Sequence, residues 1–321
     1  MPLISKPQNT LIGFLISLHL LACTASATDS FFNFEDDQEE PTLEQQFIQS
    51  NIVISEWFDG TAEGIDLFLS GKTKSKKKNN SHFRVENSTF INEGDNFRNT
   101  TSLSVILRLP NLEEYWQLKF TSYDESDEKR NTQKSYLRNT PRERNYGATV
   151  GFFRKLGNIR TAFQPRIDLS DPLKVSHSLT FESILDFQTY EANPKFELFA
   201  TPDKGTGFFL AMNFNFPINN YYSFTLINNG QYEDKKHQFS TGNGFSVGQY
   251  IDRKSSIAYT WLYNCNNRDN FHLESYGLAV AYSHLIYRRI LDYQLVPHLD
   301  FAKEKDFKGV TGLTFNLNLN F

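Results

Sequence analysis

The sequence has little cysteine, no excess of basic charge and only one long apolar run. Two cysteines occur in 321 residues, too few for the disulfide framework of a small secreted domain. The formal net charge is −4, so composition gives no indication of nucleic-acid binding. A helical membrane protein needs about 20 consecutive apolar residues for each span. Only residues 11–27 approach that pattern, and we therefore expect no bundle of membrane-spanning helices.

Sequence motifs for catalysis and metal binding are also missing. The chain contains no His-Glu-x-x-His spacing, no phosphate-binding loop and no dinucleotide fingerprint. Two histidines lie close in sequence to an aspartate, in the pairs Asp234/His237 and Asp269/His272. Both pairs fall in predicted loops, where such side chains are ordinarily solvated. We expect no enzymatic activity, no metal and no cofactor.

The amino terminus has the features of a secretory signal peptide. A positive start precedes the apolar stretch at residues 11–23, and residues 25–27 (Ala-Ser-Ala) form a small-x-small cleavage site. The alternative is a lipoprotein-type site with the lipid on Cys23. Cleavage after Ala27 would leave Cys265 as the only cysteine. We then expect neither an intramolecular disulfide nor a cysteine-based metal site.

Residues 28–80 carry a different pattern. The segment 28–41 is acidic and is expected to be a flexible terminus. Thr42 and Gln45 then have the form of a helix capping box, and apolar residues at helical spacing follow. We expect one or two short helices over residues 42–70 and a lysine-rich linker up to residue 80. The linker is either solvated or in contact with phosphate headgroups.

From residue 81 onward, apolar and polar residues alternate in repeated segments separated by turn residues. The last segment is the clearest example, because every odd position is Leu or Phe and every even position is Thr or Asn. Its apolar residues are Leu313, Phe315, Leu317, Leu319 and Phe321. A period of two predicts a strand with one apolar face and one polar face. Residues 81–321 are therefore predicted to form one all-β domain.

This closing segment resembles the carboxy-terminal strand of bacterial outer-membrane β-barrel proteins. The resemblance implies that its five apolar residues form a signal for the outer-membrane assembly machinery. It also implies a transmembrane, antiparallel, up-and-down β-barrel whose apolar face meets outer-membrane lipid and lipopolysaccharide. The helices at residues 42–70 would then plug the barrel or extend from it into the periplasm.

Aromatic residues near the strand ends favour the same architecture. They lie on the apolar parity, as the aromatic girdles at the two membrane interfaces require: Trp116, Tyr146, Phe187, Phe216, Tyr222, Tyr282 and Phe321. Tight connections alternate with mostly longer ones, of which residues 124–145 are the longest. We predict about 14 strands, with 12 as the main alternative. Both ends of the mature chain and the tight turns are predicted on the periplasmic side, and the longer loops on the external side.

The polar parity is predicted to face the lumen. Its charged residues and one histidine are Arg84, Glu86, Arg108, Lys119, Arg160, Arg166, Asp168, Lys174, Glu182, Asp186, Glu197, Asp292, His298 and Asp300. Basic and acidic groups nearly balance, so no strong ion selectivity is expected. The lumen is either closed by a network of ion pairs or a water-filled pore for small polar solutes.

These features lead to three hypotheses for function. The first is a porin-like channel or transporter for small polar solutes. The second is a structural or interaction protein of the outer membrane with a closed lumen, in which the external loop 124–145 meets lipopolysaccharide or a surface ligand. The third is a barrel enzyme that acts on lipid or peptide.

Overall fold

A computed structural model describes residues 42–71, 81–94, 97–111, 116–287 and 290–321. The predicted signal peptide, the acidic terminus and nearly all of the lysine-rich linker lie outside these residues. The chain divides into two compact units, Met1–Gln46 and Phe47–Phe321. None of the helices within the described residues has the length and apolar character to cross a membrane.

The second unit is an antiparallel β-sheet that closes on itself. The strands are β1 (His82–Asn92), β2 (Arg98–Arg108), β3 (Trp116–Thr121), β4 (Gly147–Leu156), β5 (Ile159–Asp168), β6 (Lys174–Ser183), β7 (Leu185–Asp186), β8 (Glu191–Thr201), β9 (Gly205–Pro217), β10 (Tyr222–Glu233), β11 (Gln238–Tyr250), β12 (Ser255–Asn266), β13 (His272–Tyr287), β14 (Leu291–Ala302) and β15 (Gly309–Asn320). Strands that follow one another in sequence pair with each other, except β6 and β7, which both pair with β8, and the first strand pairs with the last.

Closure of the barrel depends on the pairing between β1 and β15, in which Arg84 lies opposite Asn320. The short strand β7 continues β6, since both pair with β8. The 15 strands therefore occupy 14 positions around the barrel. The predicted transmembrane β-barrel with about 14 strands is confirmed, and the alternative of 12 is wrong. We call the end that carries Phe321 the terminal end and the opposite end the loop end.

Helices are few. The longest, α1 (Leu43–Ser70), is one continuous helix of 28 residues, where the sequence predicted one or two short helices. Its start is a reciprocal capping box, because Thr42 N donates to Gln45 Oε1 at 2.8 Å and Gln45 N donates to Thr42 Oγ1 at 3.3 Å. The others are α2 (Glu125–Arg130), a π-helix (Gln133–Leu137) and two 3₁₀ turns, Asp234–Lys236 and Lys303–Lys305.

The two faces of the wall differ as the alternation predicted. On β15, Thr314, Asn316 and Asn318 are buried inside the barrel, whereas Leu313 and Phe315 are more than a third exposed on the outside. Aromatic rings form contacts around the exterior, with centroids 4.7 to 6.0 Å apart. They include Trp116, Phe152, Phe187, Tyr190, Phe216, Phe224, Tyr282, Tyr293 and Phe315. An apolar, aromatic exterior around a polar interior is the build of a transmembrane barrel.

The connection between β3 and β4 does not project outward, as the sequence led us to expect for residues 124–145. We call residues 122–146 the inward loop. It contains α2 and the π-helix, and it folds into the barrel, where Arg130 and Leu137 are buried. The expectation that this segment projects from the barrel was wrong, because side chains such as Arg130 and Leu137 have their partners on the lumen wall. Its contact with lipopolysaccharide or a surface ligand stays a prediction.

Candidate functional site in the barrel lumen

The inward loop begins with a short helix that its own sequence stabilises. The Asp124 side chain accepts a hydrogen bond from Asp127 N at 3.1 Å and so caps α2. Acidic residues fill the first turn, and Lys129 and Arg130 occupy the last. This arrangement places each charge at the end of the helix dipole that favours it. The sequence of this six-residue helix therefore favours its formation.

Charged contacts attach α2 to the wall. Arg130 Nη1 donates to Glu197 Oε1 on β8 at 2.6 Å, and both side chains are almost fully buried. The Arg130 guanidinium also lies over the Phe199 ring, 4.4 Å from its centroid. Lys195 Nζ approaches the second Glu197 oxygen at 2.8 Å. Because this carboxylate has two cationic partners, its charge remains compensated at a buried position.

A further ion pair joins α2 to the connection between β8 and β9. Lys204 Nζ donates to the Asp127 carboxylate. Burial alone would raise the pKa of Asp127, but the charge and hydrogen bond of Lys204 and the charge of Arg130 outweigh it. The pKa of Asp127 therefore lies below its ordinary value, and the carboxylate is ionised at neutral pH.

The second half of the loop is attached by apolar packing. Leu137, at the end of the π-helix, is completely buried and packs against Ile227, Leu262, Ala279 and Val296. These four residues lie on the lumen side of β10, β12, β13 and β14, where polar side chains were expected. They form an apolar patch on an otherwise polar wall.

Small residues and hydrogen bonds complete this attachment. A Cβ at Gly277 would lie 2.9 Å from Leu137 Cδ1, and one at Gly242 would collide with Thr132 Oγ1. Thr132 Oγ1 accepts a hydrogen bond from Asn229 Nδ2 at 2.5 Å. Gln133 Nε2 donates to Ser275 Oγ at 2.7 Å. The two glycines leave the space that the loop backbone needs to lie against the wall.

The returning part of the loop is organised around Glu86 on β1. Glu86 Oε1 accepts from Arg138 Nη1 at 2.9 Å and from Arg142 Nη1 at 2.7 Å. Arg142 also donates to both oxygens of Glu128, at 2.7 and 2.9 Å. Burial would lower the pKa of Arg142, but the Glu128 hydrogen bonds and the charge of Glu86 raise it. Arg138 adopts a left-handed backbone conformation, with φ 48°, which is uncommon outside glycine.

A polar cluster on β14 holds the same segment. Asn139 Nδ2 donates to Asp300 Oδ1 at 2.8 Å, and His298 Nδ1 lies 2.6 Å from Asp300 Oδ2. Thr314 Oγ1 on β15 donates to the Arg138 carbonyl at 2.9 Å. Together with Glu86, these contacts link the loop to β1, β14 and β15, which lie around the seam where the barrel closes.

Two cavities lie beside α2. One, of about 240 Å³, is lined by Glu86, Tyr123, Asp127, Arg138, Arg142 and Lys204 among others. The other, of about 170 Å³, is lined by Lys119, Glu125, Lys129, Arg166, Lys195 and Glu197 among others. Residues of α2 line both cavities, so this helix forms the partition between them. Each cavity has charged groups of both signs.

The structure places the residues predicted to face the lumen in three zones. The first zone lies deep in the barrel, and most of its residues touch the loop or its cavities. It contains Glu86, Lys119, Arg166, Asp168, Glu197, His298 and Asp300. Toward the terminal end lie Arg84, Arg108, Arg160, Glu182 and Asp292. Lys174 pairs with Asp203 at the loop end, and Asp186 accepts from Gln188 N in the turn after β7. The site is the deep zone.

The two His/Asp pairs singled out in the sequence lie in or next to connections at the loop end. His272 Nδ1 lies 2.6 Å from the Asn270 carbonyl, and Nε2 lies 3.1 Å from Glu274 Oε2. His237 ends a 3₁₀ turn with φ 48°. Across the described parts of the chain, no group of three or more His, Cys, Asp or Glu side chains is arranged to hold a metal ion.

No family model and no curated protein matches the sequence. Among solved structures, the outer membrane channel DcaP of Acinetobacter baumannii is 9% identical, with a TM-score of 0.46 over 78% of this chain and 99% of that one. A loop-deletion mutant of OmpT from Vibrio cholerae is 6% identical, with a TM-score of 0.46 over 76% and 99%.

A third structure, the KdgM porin in complex with disordered oligogalacturonate, is 5% identical, with a TM-score of 0.37 over 74% of this chain and 99% of that one. All three TM-scores are below 0.5, so the fold rests on the strand pairing described above and not on these likenesses. The chain has the architecture of a transmembrane β-barrel with one loop folded into its lumen.

Proposed function

We propose that the protein is a porin-like pore of the bacterial outer membrane for small polar solutes, and that the inward loop sets its constriction. The observation that carries the proposal is the pair of charged cavities separated by α2. They lie inside a barrel of 14 strand positions, which encloses more space than wall side chains fill easily. A single loop then determines the free cross-section.

The outer-membrane location is supported by the exterior. Leucine, phenylalanine and tyrosine side chains are exposed around the barrel, for example Leu198 and Leu210 at 44% and 47%. Outer-membrane barrels carry an apolar band flanked by aromatic girdles. The tight turns lie at the terminal end and most of the longer connections at the loop end. We therefore assign the terminal end to the periplasm.

Charge defines the class of solute. Both cavities combine cationic and anionic groups, such as Arg138 with Glu86 and Lys119 with Glu125. Opposed charges orient a dipolar solute without attracting either ion strongly. We expect small neutral or zwitterionic solutes to pass, with weak selectivity between anions and cations.

The experiment is conductance and solute uptake with the purified protein in planar bilayers and liposomes. Wild type should conduct, and deletion of residues 127–143 should increase the conductance several-fold. Shortening the 3₁₀ turn Lys303–Lys305 is the control, because that turn lies at the loop end without lining either cavity. Equal conductance in the wild type and the deletion variant would contradict the role of the loop.

A second candidate is a structural envelope protein with a closed lumen. It is favoured by the complete burial of Leu137 and the near-complete burial of the Arg130–Glu197 pair, which make the loop a tightly packed element. In that case wild type would neither conduct nor transport solutes, and only the loop deletion would open a pore. The same measurements separate the two functions.

A further inference from the structure

The helix α1 contacts the terminal end of the barrel through one side. Asn51 Nδ2 donates to the Asn320 carbonyl at 2.9 Å. Asp66 Oδ2 accepts from Asn111 N at 2.8 Å and from Asn111 Nδ2 at 2.9 Å. Asn51, Ala62 and Asp66 are buried. Successive members are about three turns and about one turn apart, so the three side chains lie along one line of the helix. This line is the contact side.

The contact side has two flanks of opposite character. At 3.6 residues per turn, Val53 projects away from the contact side, and Trp57 and Phe68 project from the neighbouring flank; we call these three residues the apolar flank. They are 58%, 63% and 85% exposed. The other flank carries the acidic residues Glu56, Asp59 and Glu63. An exposed aromatic and aliphatic face beside an acidic face makes the helix amphipathic, as a helix at a boundary between lipid and water is.

The apolar flank is continuous with the exterior of the barrel. Phe58 lies at the border between the contact side and the apolar flank, and its ring stacks on Phe83 with centroids 4.8 Å apart. Phe83 stacks in turn on Phe321 at 5.3 Å. Phe83 and Phe321 are on the outward parity of β1 and of the segment that follows β15. Aromatic side chains thus lead without interruption from the lipid-facing wall to the helix.

The burial of leucine side chains on and just after β2 indicates the same position for α1, on the outside of the barrel. Leu103, Leu107 and Leu109 share the outward parity, yet Leu103 is 40% exposed while Leu107 and Leu109 are only 5% and 4% exposed. The two buried leucines lie next to Asn111, the partner of Asp66. A helix seated on the outer rim covers the exterior at these two leucines.

We propose that α1 is an interfacial helix, which lies at the lipid–water boundary of the leaflet at the terminal end. Lipid covers Val53, Trp57 and Phe68, and water solvates Glu56, Asp59 and Glu63. Trp57 lies at headgroup depth, where tryptophan is enriched in membrane proteins. The inference rests on insertion of the barrel in a membrane and is independent of whether the barrel conducts solutes.

The experiment uses tryptophan fluorescence of the full chain in phosphatidylcholine vesicles. The three tryptophans are Trp57, Trp116 and Trp261. In a Trp116→Phe/Trp261→Phe background, Trp57 is the sole reporter. Its matched control adds Trp57→Phe and Glu63→Trp, which moves the reporter to the acidic flank of the same helix. Heat-modifiable gel mobility verifies that both barrels are assembled.

Lipids brominated near the headgroup should quench the fluorescence of Trp57 several-fold more than that of the tryptophan at position 63. Aqueous acrylamide should quench the fluorescence of the tryptophan at position 63 more than that of Trp57. Equal accessibility of both reporters to acrylamide would overturn the proposal. Protection of Trp57 that disappears when lipid is added in large excess over protein would also overturn it, because a second copy of the chain would then be the occupant.

Discussion

The two halves of the inward loop are held in the lumen by different physical means. The first half, α2, is attached by ion pairs, of which Arg130–Glu197 is the most buried. The second half, the π-helix, is attached by Leu137 in an apolar patch. The strength of an ion pair depends on its geometry, its charge state and the salt concentration. The strength of an apolar contact depends on the volume that the buried side chains fill. The attachment of α2 should therefore respond to charge state and salt, whereas the attachment of the π-helix through Leu137 should not.

The largest effect is expected from Glu197→Gln, which removes the closest anionic partner of the buried Arg130 and leaves only the Asp127 carboxylate, 3.7 Å away. Loss of one partner of a buried pair costs roughly 3–5 kcal/mol. Hydrogen exchange of the peptide that contains α2, measured by mass spectrometry, should rise by two orders of magnitude or more. The exchange of the π-helix should change much less if the two attachments are independent.

The control for this change is Glu182→Gln. Glu182 pairs with Arg160 at 3.2 Å, but the two side chains are 43% and 59% exposed. An exposed pair contributes at most about 1 kcal/mol. If Glu182→Gln loosened α2 as much as Glu197→Gln, the effect would be a general consequence of reduced charge and the burial argument would be wrong.

The next effect in size is expected from Leu137→Ala. Truncation of a fully buried leucine costs about 2–5 kcal/mol. Exchange of residues 133–137 should increase while α2 remains protected. Leu198→Ala is the matched control, because Leu198 is 44% exposed on the outer wall and its truncation leaves no cavity. Simultaneous opening of both halves in Leu137→Ala would show that the loop is one cooperative unit.

The sequence predicted the wall of the barrel much better than its interior. Alternation with a period of two sets the side on which each residue lies, as Thr314 and Phe315 illustrate. The inward loop has no such period, and its polar composition is typical of an exposed loop. Its position depends on contacts with residues distant in sequence, which local patterns do not encode.

A signal for the inward loop was nevertheless present in the strands. Ile227, Leu262 and Val296 break the polar parity on three strands that lie within a span of five. Apolar side chains on the lumen side of a barrel require something to cover them. Gly242 was a second signal, because a glycine inside a strand often marks a close approach of another segment, and Thr132 of the loop lies there. Neither observation identified which segment supplies the cover.

A smaller effect is expected from Glu86→Gln, which removes the negative charge that Arg138 and Arg142 both contact. Arg142 keeps its two hydrogen bonds to Glu128, and Arg138 is about a quarter exposed, so solvent compensates part of the loss. We expect roughly 1–2 kcal/mol, or about a tenfold rise in exchange of residues 138–142. Single-channel recordings should show more frequent conductance fluctuations. Unchanged exchange and unchanged recordings would mean that the returning segment is held by the Asn139 and Thr314 contacts alone.

The smallest effect is a response of α2 to acid. The pKa of Asp127 is lowered from 3.8 in the folded protein, because the attraction of Lys204 and Arg130 outweighs burial. A lowered pKa means that the pair contributes its full stability above about pH 3.8 and loses it as the pH falls through the folded value. Conductance fluctuations should therefore be constant between about pH 7 and pH 5 and increase only below that range. Asp127→Asn, which lacks the charge at every pH, should show the increased fluctuations already at neutral pH. A wild type that responds near pH 6 instead would point to a histidine and away from the Asp127–Lys204 pair.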